Sequence, residues 1–222
     1  MKKLFKIQKI FVIFLFLSAL LSPAAKAASL FENTVFFGDS TTAHMAVRGG
    51  VPASRVWSGQ GSTVRFSTVN TEKCVRLQNG ELLTLRDAVK RTKPQVLVIT
   101  LGVSGGAGVL SEAEFKRVYK NMLLSVKEAS PGTKIFVQSI LPLSDKSVNY
   151  YKKITKEAVL EANGWIREVC ASLSVPYIDS HSLLIGKNGY LLPQYQNDEY
   201  MHLTANAYSV ILSNIKKHIE NN

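Results

Sequence analysis

Ser40 is the candidate nucleophile of this sequence. It follows Gly38 and Asp39 at the end of a short apolar run, and the residues after it have a helical pattern. A serine at such a junction has its hydroxyl at the carboxyl end of a strand and its backbone N–H at the N-terminus of a helix. One residue can then supply both a nucleophile and an oxyanion donor. The alternative is that Ser40 only caps the helix, which is a common role for serine.

A serine nucleophile needs a base within hydrogen-bonding distance and a carboxylate that orients this base. The sequence has four histidines, and His202 is the best candidate because it follows Asp198 and Glu199 in a loop before the last predicted helix. The other three histidines suit a groove, a turn and a solvated helix end, respectively: His44, His181 and His218. The pair of Ser40 and His202 indicates nucleophilic catalysis by a serine.

The rest of the chain must position these side chains, and its strand and helix patterns alternate. The run 95–101 is continuously apolar and rich in β-branched residues, as in a strand buried on both faces of a parallel sheet. Apolar or β-rich runs predict strands at 34–38, 55–58, 95–101, 134–141 and 175–178. Helical spacing and capping residues predict five helices: residues 41–47, residues 85–92, the segment between Ser111 and Pro131, residues 154–173, and a last helix after Thr204.

This alternation predicts one α/β domain with a parallel sheet and helices on both of its faces. In such folds ligands bind beyond the carboxyl ends of the strands. The loops in which a site is expected are therefore 39–41, 59–66, 102–110, 142–151 and 180–203.

The first 27 residues are typical of a secretory signal peptide. They contain five lysines and no acidic residue, and the apolar run 10–21 is only 12 residues long, whereas a membrane span needs roughly 20. Ala25-Lys26-Ala27 offers a small-x-small cleavage site, with an uncleaved anchor as the alternative. We therefore expect a signal peptide over 1–27, a single domain over 28–222, an extracytoplasmic location, and membrane contact only during export.

The net charge of the expected domain is lower than that of the whole chain, because the expected signal peptide contains five lysines. The formal net charge is +11, from 27 Lys and Arg against 16 Asp and Glu. Without residues 1–27 there are 22 basic and 16 acidic residues, a net charge of +6. Such a mildly basic domain does not point to a nucleic-acid partner.

The two cysteines, Cys74 and Cys170, have neither metal-ligand nor redox-motif spacing. We therefore expect no cofactor and no metal. In an oxidising compartment the two thiols can form a disulfide, and two inert buried thiols are the alternative.

Gly38-Asp39-Ser40, together with an acid-x-x-His segment just before the C-terminal helix, resembles the SGNH/GDSL hydrolases. The resemblance covers residues 34–218, with the blocks in the family's order, and points to exported members from Gram-positive bacteria. It implies a flavodoxin-like three-layer α/β/α sandwich with a central parallel sheet, and activity on ester bonds. Ser40 matches the family's nucleophile, and His202 matches its base.

Two features depart from the family's pattern. The carboxylate usually stands three residues before the histidine, where this sequence has Glu199, and Asp198 is the alternative. The family's oxyanion hole combines the serine amide, a glycine after the second strand and an asparagine side chain, which correspond here to Ser40, Gly61 and Ser104. A serine hydroxyl is a shorter donor than the carboxamide that it replaces.

Together with the resemblance, these residues lead us to expect an exported, monomeric serine esterase that hydrolyses O-acetyl or short-acyl esters of a small molecule or a glycan. Two other functions stay open. An O-acyltransferase would pass the same acyl group to a cell-wall glycan. A catalytically weak or inactive glycan-binding module is the second alternative, and the missing asparagine motivates it.

Overall fold

The computed structural model describes residues 31–59 and 64–222. The strands in this part are β1 (Thr34–Gly38), β2 (Val56–Trp57), β3 (Val75–Arg76), β4 (Leu82–Leu83), β5 (Val96–Thr100), β6 (Lys134–Gln138) and β7 (Tyr177–Ile178). Five of them form a parallel sheet in the order β2-β1-β5-β6-β7, and β3 and β4 form a separate antiparallel hairpin. The expected signal peptide over 1–27 and Gly61 lie outside the described residues.

Helices lie between the strands and after the last strand of the described chain. They are α1 (Ser40–Arg48), α2 (Leu85–Thr92), α3 (Glu112–Ala129), α4 (Lys156–Ser172) and α5 (Ala205–Glu220). Each begins after a side chain that accepts a backbone N–H of the first turn: Asp39, Thr84, Ser111, Thr155 and Thr204. Such a cap stabilises a helix by about 1 kcal/mol. No helix in the described ranges combines the length and apolar character needed to cross a bilayer.

The sheet is covered by helices on both faces. Successive side chains of a strand point to opposite faces, so Phe36 packs against α1 and α5, whereas Val35 and Phe37 pack against α2, α3 and α4. The strands appear in the sequence as continuous apolar runs because both of their faces are buried. The predicted three-layer α/β/α sandwich is confirmed.

The predicted strand 134–141 is shorter in the structure and ends at Gln138. Beyond Gln138, the side chain of Asn163 in α4 forms hydrogen bonds with both backbone polar groups of Ile140. The Ile140 N–H donates to Oδ1 at 2.7 Å, and Nδ2 donates to the Ile140 carbonyl at 3.0 Å. This contact also explains why an asparagine stands in the middle of a helix, since it satisfies buried backbone groups that would otherwise lack partners.

Gly38 is the residue that lets β1 turn sharply into α1. It pairs in register with Thr100 of the neighbouring strand. A Cβ atom at this position would lie 2.2 Å from the Thr100 carbonyl oxygen and 2.1 Å from Oγ1 of Thr42. Only glycine therefore fits here, and the close approach brings the start of α1 to the carboxyl edge of the sheet.

Candidate active site

Ser40 is the first residue of α1 and lies directly beyond the end of β1. Asp39 is the N-cap, because its Oδ1 accepts the Thr41 N–H at 3.1 Å and the Thr41 hydroxyl at 2.9 Å. Ser40 is therefore not the cap of this helix. Its own N–H belongs to the first turn and has no acceptor within the helix, so it needs an acceptor from outside.

His202 lies beside Ser40, with 3.1 Å between Nε2 and the serine Oγ. On the other side of the ring, Nδ1 is hydrogen-bonded to Oδ2 of Asp198. When Nδ1 carries the proton and donates it to the carboxylate, Nε2 has its lone pair free to accept the serine proton. These three side chains have the contacts of a nucleophile, a base and the acid that orients the base.

The loop that carries His202 is held by backbone hydrogen bonds and by two buried anchors. The N–H of Asn197 donates to the His202 carbonyl at 2.9 Å, and the N–H of Ser144 donates to the Tyr200 carbonyl at 2.9 Å. Met201 and Leu203, on either side of the histidine, are both buried. The histidine ring is therefore presented from a fixed backbone rather than from an unsupported loop.

The structure corrects the expectation that Glu199 orients His202. The Glu199 carboxylate instead accepts hydrogen bonds from Nζ of Lys146 at 2.7 Å and from the Tyr150 hydroxyl at 2.6 Å. Asp198 takes the place beside the imidazole because the His202 N–H donates to its Oδ1 at 3.2 Å and bends the chain around it. The carboxylate in contact with the histidine therefore stands four residues before it, not three.

The two aspartates of the site have opposite pKa shifts. Burial raises the pKa of the Asp198 carboxyl, but hydrogen bonds from Tyr200 and His202 outweigh this effect and hold the pKa below its ordinary value of 3.8. Burial dominates at Asp39 and raises the pKa of its carboxyl in spite of the hydrogen bonds from Thr41. Asp198 is therefore the carboxylate suited to remain charged beside a protonated imidazole.

The loop after β5 lies next to the start of α1. Gly102 and Val103 line, together with Asp39 and Thr41, a cavity of about 10 Å³. The carbonyl of Ser104 accepts the N–H of Phe66 at 2.7 Å, which fixes the loop. No hydrogen bond to the Ser104 hydroxyl is present among residues 31–59 and 64–222, so this hydroxyl has no protein partner there. Gly61 lies outside the described residues.

His44 contacts the face of the candidate base. Its ring lies with its centroid 4.5 Å from that of His202, in an edge-to-face arrangement. Burial lowers the pKa of His44, and repulsion from His202 and Arg48 lowers it further. His44 therefore packs against the ring of His202.

The two other histidines serve the fold. His181 is buried, and its Nδ1 lies 3.0 Å from the Ile140 carbonyl, while Nδ1 of His218 lies 2.9 Å from the carbonyl of Asn214 within α5. In the part of the chain that the structure describes, no group of three or more His, Cys, Asp or Glu side chains is arranged to hold a metal ion.

Three tyrosines beside the site were not predicted from the sequence. Tyr150, Tyr151 and Tyr200 bring their rings together next to Asp198 and Glu199. Tyr200 stands two residues before the candidate base, but Tyr150 and Tyr151 come from a loop about 50 residues earlier. Their only sequence signal was their position in two of the loops expected at the carboxyl edge of the sheet.

Known structures share this fold. A GDSL-like lipase from Bacteroides thetaiotaomicron is 20% identical, with a TM-score of 0.60 and coverage of 89% of this chain and 95% of the other. A carbohydrate esterase of family 3 from Talaromyces cellulolyticus is 16% identical, with a TM-score of 0.54 and coverage of 85% and 96%. The periplasmic domain of a lipopolysaccharide acetyltransferase from Salmonella ser. Paratyphi A is 18% identical, with a TM-score of 0.56 and coverage of 90% and 89%.

At these identities the structural likeness shows the fold, and the family assignment comes from the sequence. A search of curated proteins found no match. The model of the GDSL-like lipase/acylhydrolase family, however, matches residues 36–210, which include Ser40, Asp198 and His202. The chain therefore belongs to the GDSL-like lipase/acylhydrolase family.

Proposed function

We propose that this protein is an exported serine esterase that hydrolyses short acyl esters, with Ser40 as nucleophile, His202 as base and Asp198 as the orienting acid. The observation that carries the proposal is the distance of 3.1 Å between Nε2 of His202 and Oγ of Ser40. A hydroxyl and a neutral imidazole at this distance can exchange a proton directly.

The contacts support a two-step mechanism. Oγ of Ser40 attacks the ester carbonyl while its proton passes to Nε2 of His202, and Asp198 stabilises the imidazolium. The tetrahedral oxyanion binds the Ser40 N–H, with the Ser104 hydroxyl and the Gly61 N–H as the proposed further donors. When the intermediate collapses, the imidazolium gives its proton to the leaving alcohol. Water then attacks the acyl-enzyme, and the acid product leaves.

A short acyl group is proposed because a carbohydrate esterase and an acetyltransferase domain share this fold. The cavity between the start of α1 and the loop after β5 has a volume of about 10 Å³, which is no more than one water molecule requires. Its lining includes the buried Met201 and Val103. Neither Ser40 nor His202 lines this cavity, so its size does not limit the acyl group, and acetyl and similarly small esters are proposed from the fold similarity.

An O-acyltransferase is the second candidate, because both activities share the same acyl-enzyme. The fold similarity to the lipopolysaccharide acetyltransferase domain supports this candidate. A non-catalytic module is less well supported, since the hydrogen bonds among Ser40, His202 and Asp198 are all present. The products separate the two enzymes: a hydrolase releases free acetate, whereas a transferase moves the acetyl group to an added sugar acceptor.

The esterase is tested by hydrolysis of p-nitrophenyl acetate and of acetylated sugars by the purified protein. Ser40→Ala should lower kcat by at least about 10³-fold. Ser209→Ala, at an exposed serine of α5, is the matched control and should leave kcat unchanged. Hydrolysis that survives Ser40→Ala at the wild-type rate would rule out the mechanism.

Export is proposed from the leader alone. Its five lysines, apolar run and Ala25-Lys26-Ala27 site support cleavage before Ala28. N-terminal sequencing of the protein recovered outside the producing cell should begin at Ala28, and a product that stays in the membrane with Met1 intact would contradict the proposal.

A further inference from the structure

A cluster of two exposed aromatic rings and one half-buried ring borders the candidate active site. The ring centroids of Tyr150 and Tyr200 are 4.2 Å apart, and those of Tyr151 and Tyr200 are 6.1 Å apart. Tyr150 is 45% exposed and Tyr200 is 37% exposed, although both have large apolar faces. Neighbouring aromatic faces left in water are typical of a binding surface rather than of a core.

The cluster is connected to the triad through the backbone of the same loop. The N–H of Tyr200 donates to Oδ1 of Asp198 at 2.9 Å, and the other oxygen of this carboxylate holds His202. A ligand on these rings would therefore lie beside the reacting centre.

Polar groups surround the rings. Glu199 accepts hydrogen bonds from Lys146 and Tyr150, and all three side chains are exposed. The carboxylate, the ammonium and the phenol hydroxyl can exchange this pairing for hydrogen bonds to a ligand. An aromatic face next to such donors and acceptors matches a sugar ring, which has one face of C–H bonds and a rim of hydroxyls.

A lipid surface would require a different set of side chains. Burying a hydrogen-bonded carboxylate and an ammonium group in hydrocarbon is costly, and membrane-binding faces use Leu, Phe and Trp for the buried contact. The observations favour a carbohydrate over a lipid.

We propose that Tyr150, Tyr151 and Tyr200 form a subsite for a pyranose ring of an acylated glycan, with Glu199 and Lys146 as hydrogen-bonding partners of its hydroxyls. This inference rests on the proposed function, because the sugar bound here carries its ester to Ser40. The subsite gives a role to Glu199 that is separate from the orientation of His202.

The subsite is tested by binding, in a protein that cannot turn the ligand over. Ser40→Ala protein is titrated by calorimetry with acetylated xylo-oligosaccharide and with a β-1,4-linked N-acetylglucosamine hexamer. At least one should bind, and adding Tyr150→Ala should raise its Kd by about three- to tenfold, the loss expected for one aromatic contact. Tyr150→Phe keeps the ring and should recover most of the affinity.

Tyr190→Ala is the matched control, since Tyr190 lies against Lys156 rather than in the cluster, and it should not change Kd. Absence of binding by both sugars, or the same Kd with Tyr150→Ala, would overturn the subsite. Preferential binding to phosphatidylglycerol vesicles over both sugars would also overturn the subsite.

If sugars bind but wild-type protein hydrolyses no ester, the proposed function fails while the subsite stands. If p-nitrophenyl acetate is hydrolysed without sugar binding, only the subsite fails.

Discussion

Asp198 holds His202 by two hydrogen bonds: one carboxylate oxygen meets Nδ1 of the ring, and the other accepts the backbone N–H of the same histidine at 3.2 Å. The carboxylate thus fixes both the ring and the chain that carries it. Its neighbour Glu199 faces Lys146 and Tyr150 instead. Two consecutive acids in this loop therefore have separate roles.

Asp198→Asn is expected to lower kcat by about 10³- to 10⁴-fold, because a carboxamide can stabilise the wrong tautomer of His202 and cannot stabilise its imidazolium. Glu199→Gln keeps the size of its side chain and should leave kcat for p-nitrophenyl acetate within about threefold of wild type, since Glu199 does not contact the base. Steady-state kinetics of both variants measure this difference. Equal losses of kcat in the two variants, or a larger loss of kcat in Glu199→Gln, would indicate that Glu199 orients His202.

Asp39→Asn is expected to stabilise the folded protein at neutral pH. The folded-state pKa of Asp39 is raised by burial above 3.8, so the stability that accompanies its protonated form is lost as the pH rises through that pKa. Asparagine caps helices as well as aspartate does, and both bonds from Thr41 go to a single oxygen that it retains. Urea unfolding should show a gain at pH 7 that disappears below about pH 3.8.

The matched variant for this position is Asp39→Ala, which removes the cap and should cost about 1 kcal/mol of unfolding free energy. A loss of stability in Asp39→Asn at pH 7 as large as that in Asp39→Ala would show that the negative charge itself is needed by the fold.

Ser104→Ala is expected to lower kcat by about 10- to 100-fold with little change in KM, because an oxyanion donor acts mainly in the transition state. Ser67→Ala is the control, since Ser67 is an exposed serine that lies next to Gly105 in the same loop contact. The comparison is made with p-nitrophenyl acetate at saturation. An unchanged kcat in Ser104→Ala would show that the Ser104 hydroxyl does not stabilise the oxyanion and that backbone N–H groups are its donors.

Cys74 and Cys170 are both buried free thiols. Burial raises the pKa of Cys74 to about 11 and that of Cys170 to about 12, so almost no reactive thiolate is present near neutral pH. We expect Ellman's reagent at pH 8 to find no rapidly reacting thiol in the native protein and two after unfolding without reductant. An unfolded protein with no reactive thiol would show a disulfide instead.

The sheet was predictable because a parallel strand buried on both faces leaves a continuous apolar run, and β1 and α2 have the predicted bounds. The end of β6 could not be predicted from the local sequence, because it depends on Asn163. This residue contacts Ile140 from a helix more than 20 residues later. Local patterns are enough to locate β1 and α2. Contacts between distant residues determine where some elements end.

The candidate site divides in the same way. Ser40 and His202 were identified from their residue types and from their places before helices. The sequence did not decide between Asp198 and Glu199, because the choice depends on a turn. In this turn the backbone N–H groups of Tyr200 and His202 donate to the Asp198 carboxylate. Simple counting of residues before the histidine favours Glu199 and gives no weight to that turn.

The central claim is that Ser40 is the nucleophile activated by His202, and covalent labelling tests it most directly. The purified protein is treated with a fluorophosphonate probe, and the modified residue is located by peptide mass spectrometry. We predict one adduct, on Ser40, that is absent in Ser40→Ala and forms at least about 10²-fold more slowly in His202→Ala. Labelling of a different residue, or ester hydrolysis with no adduct on Ser40, would contradict the account.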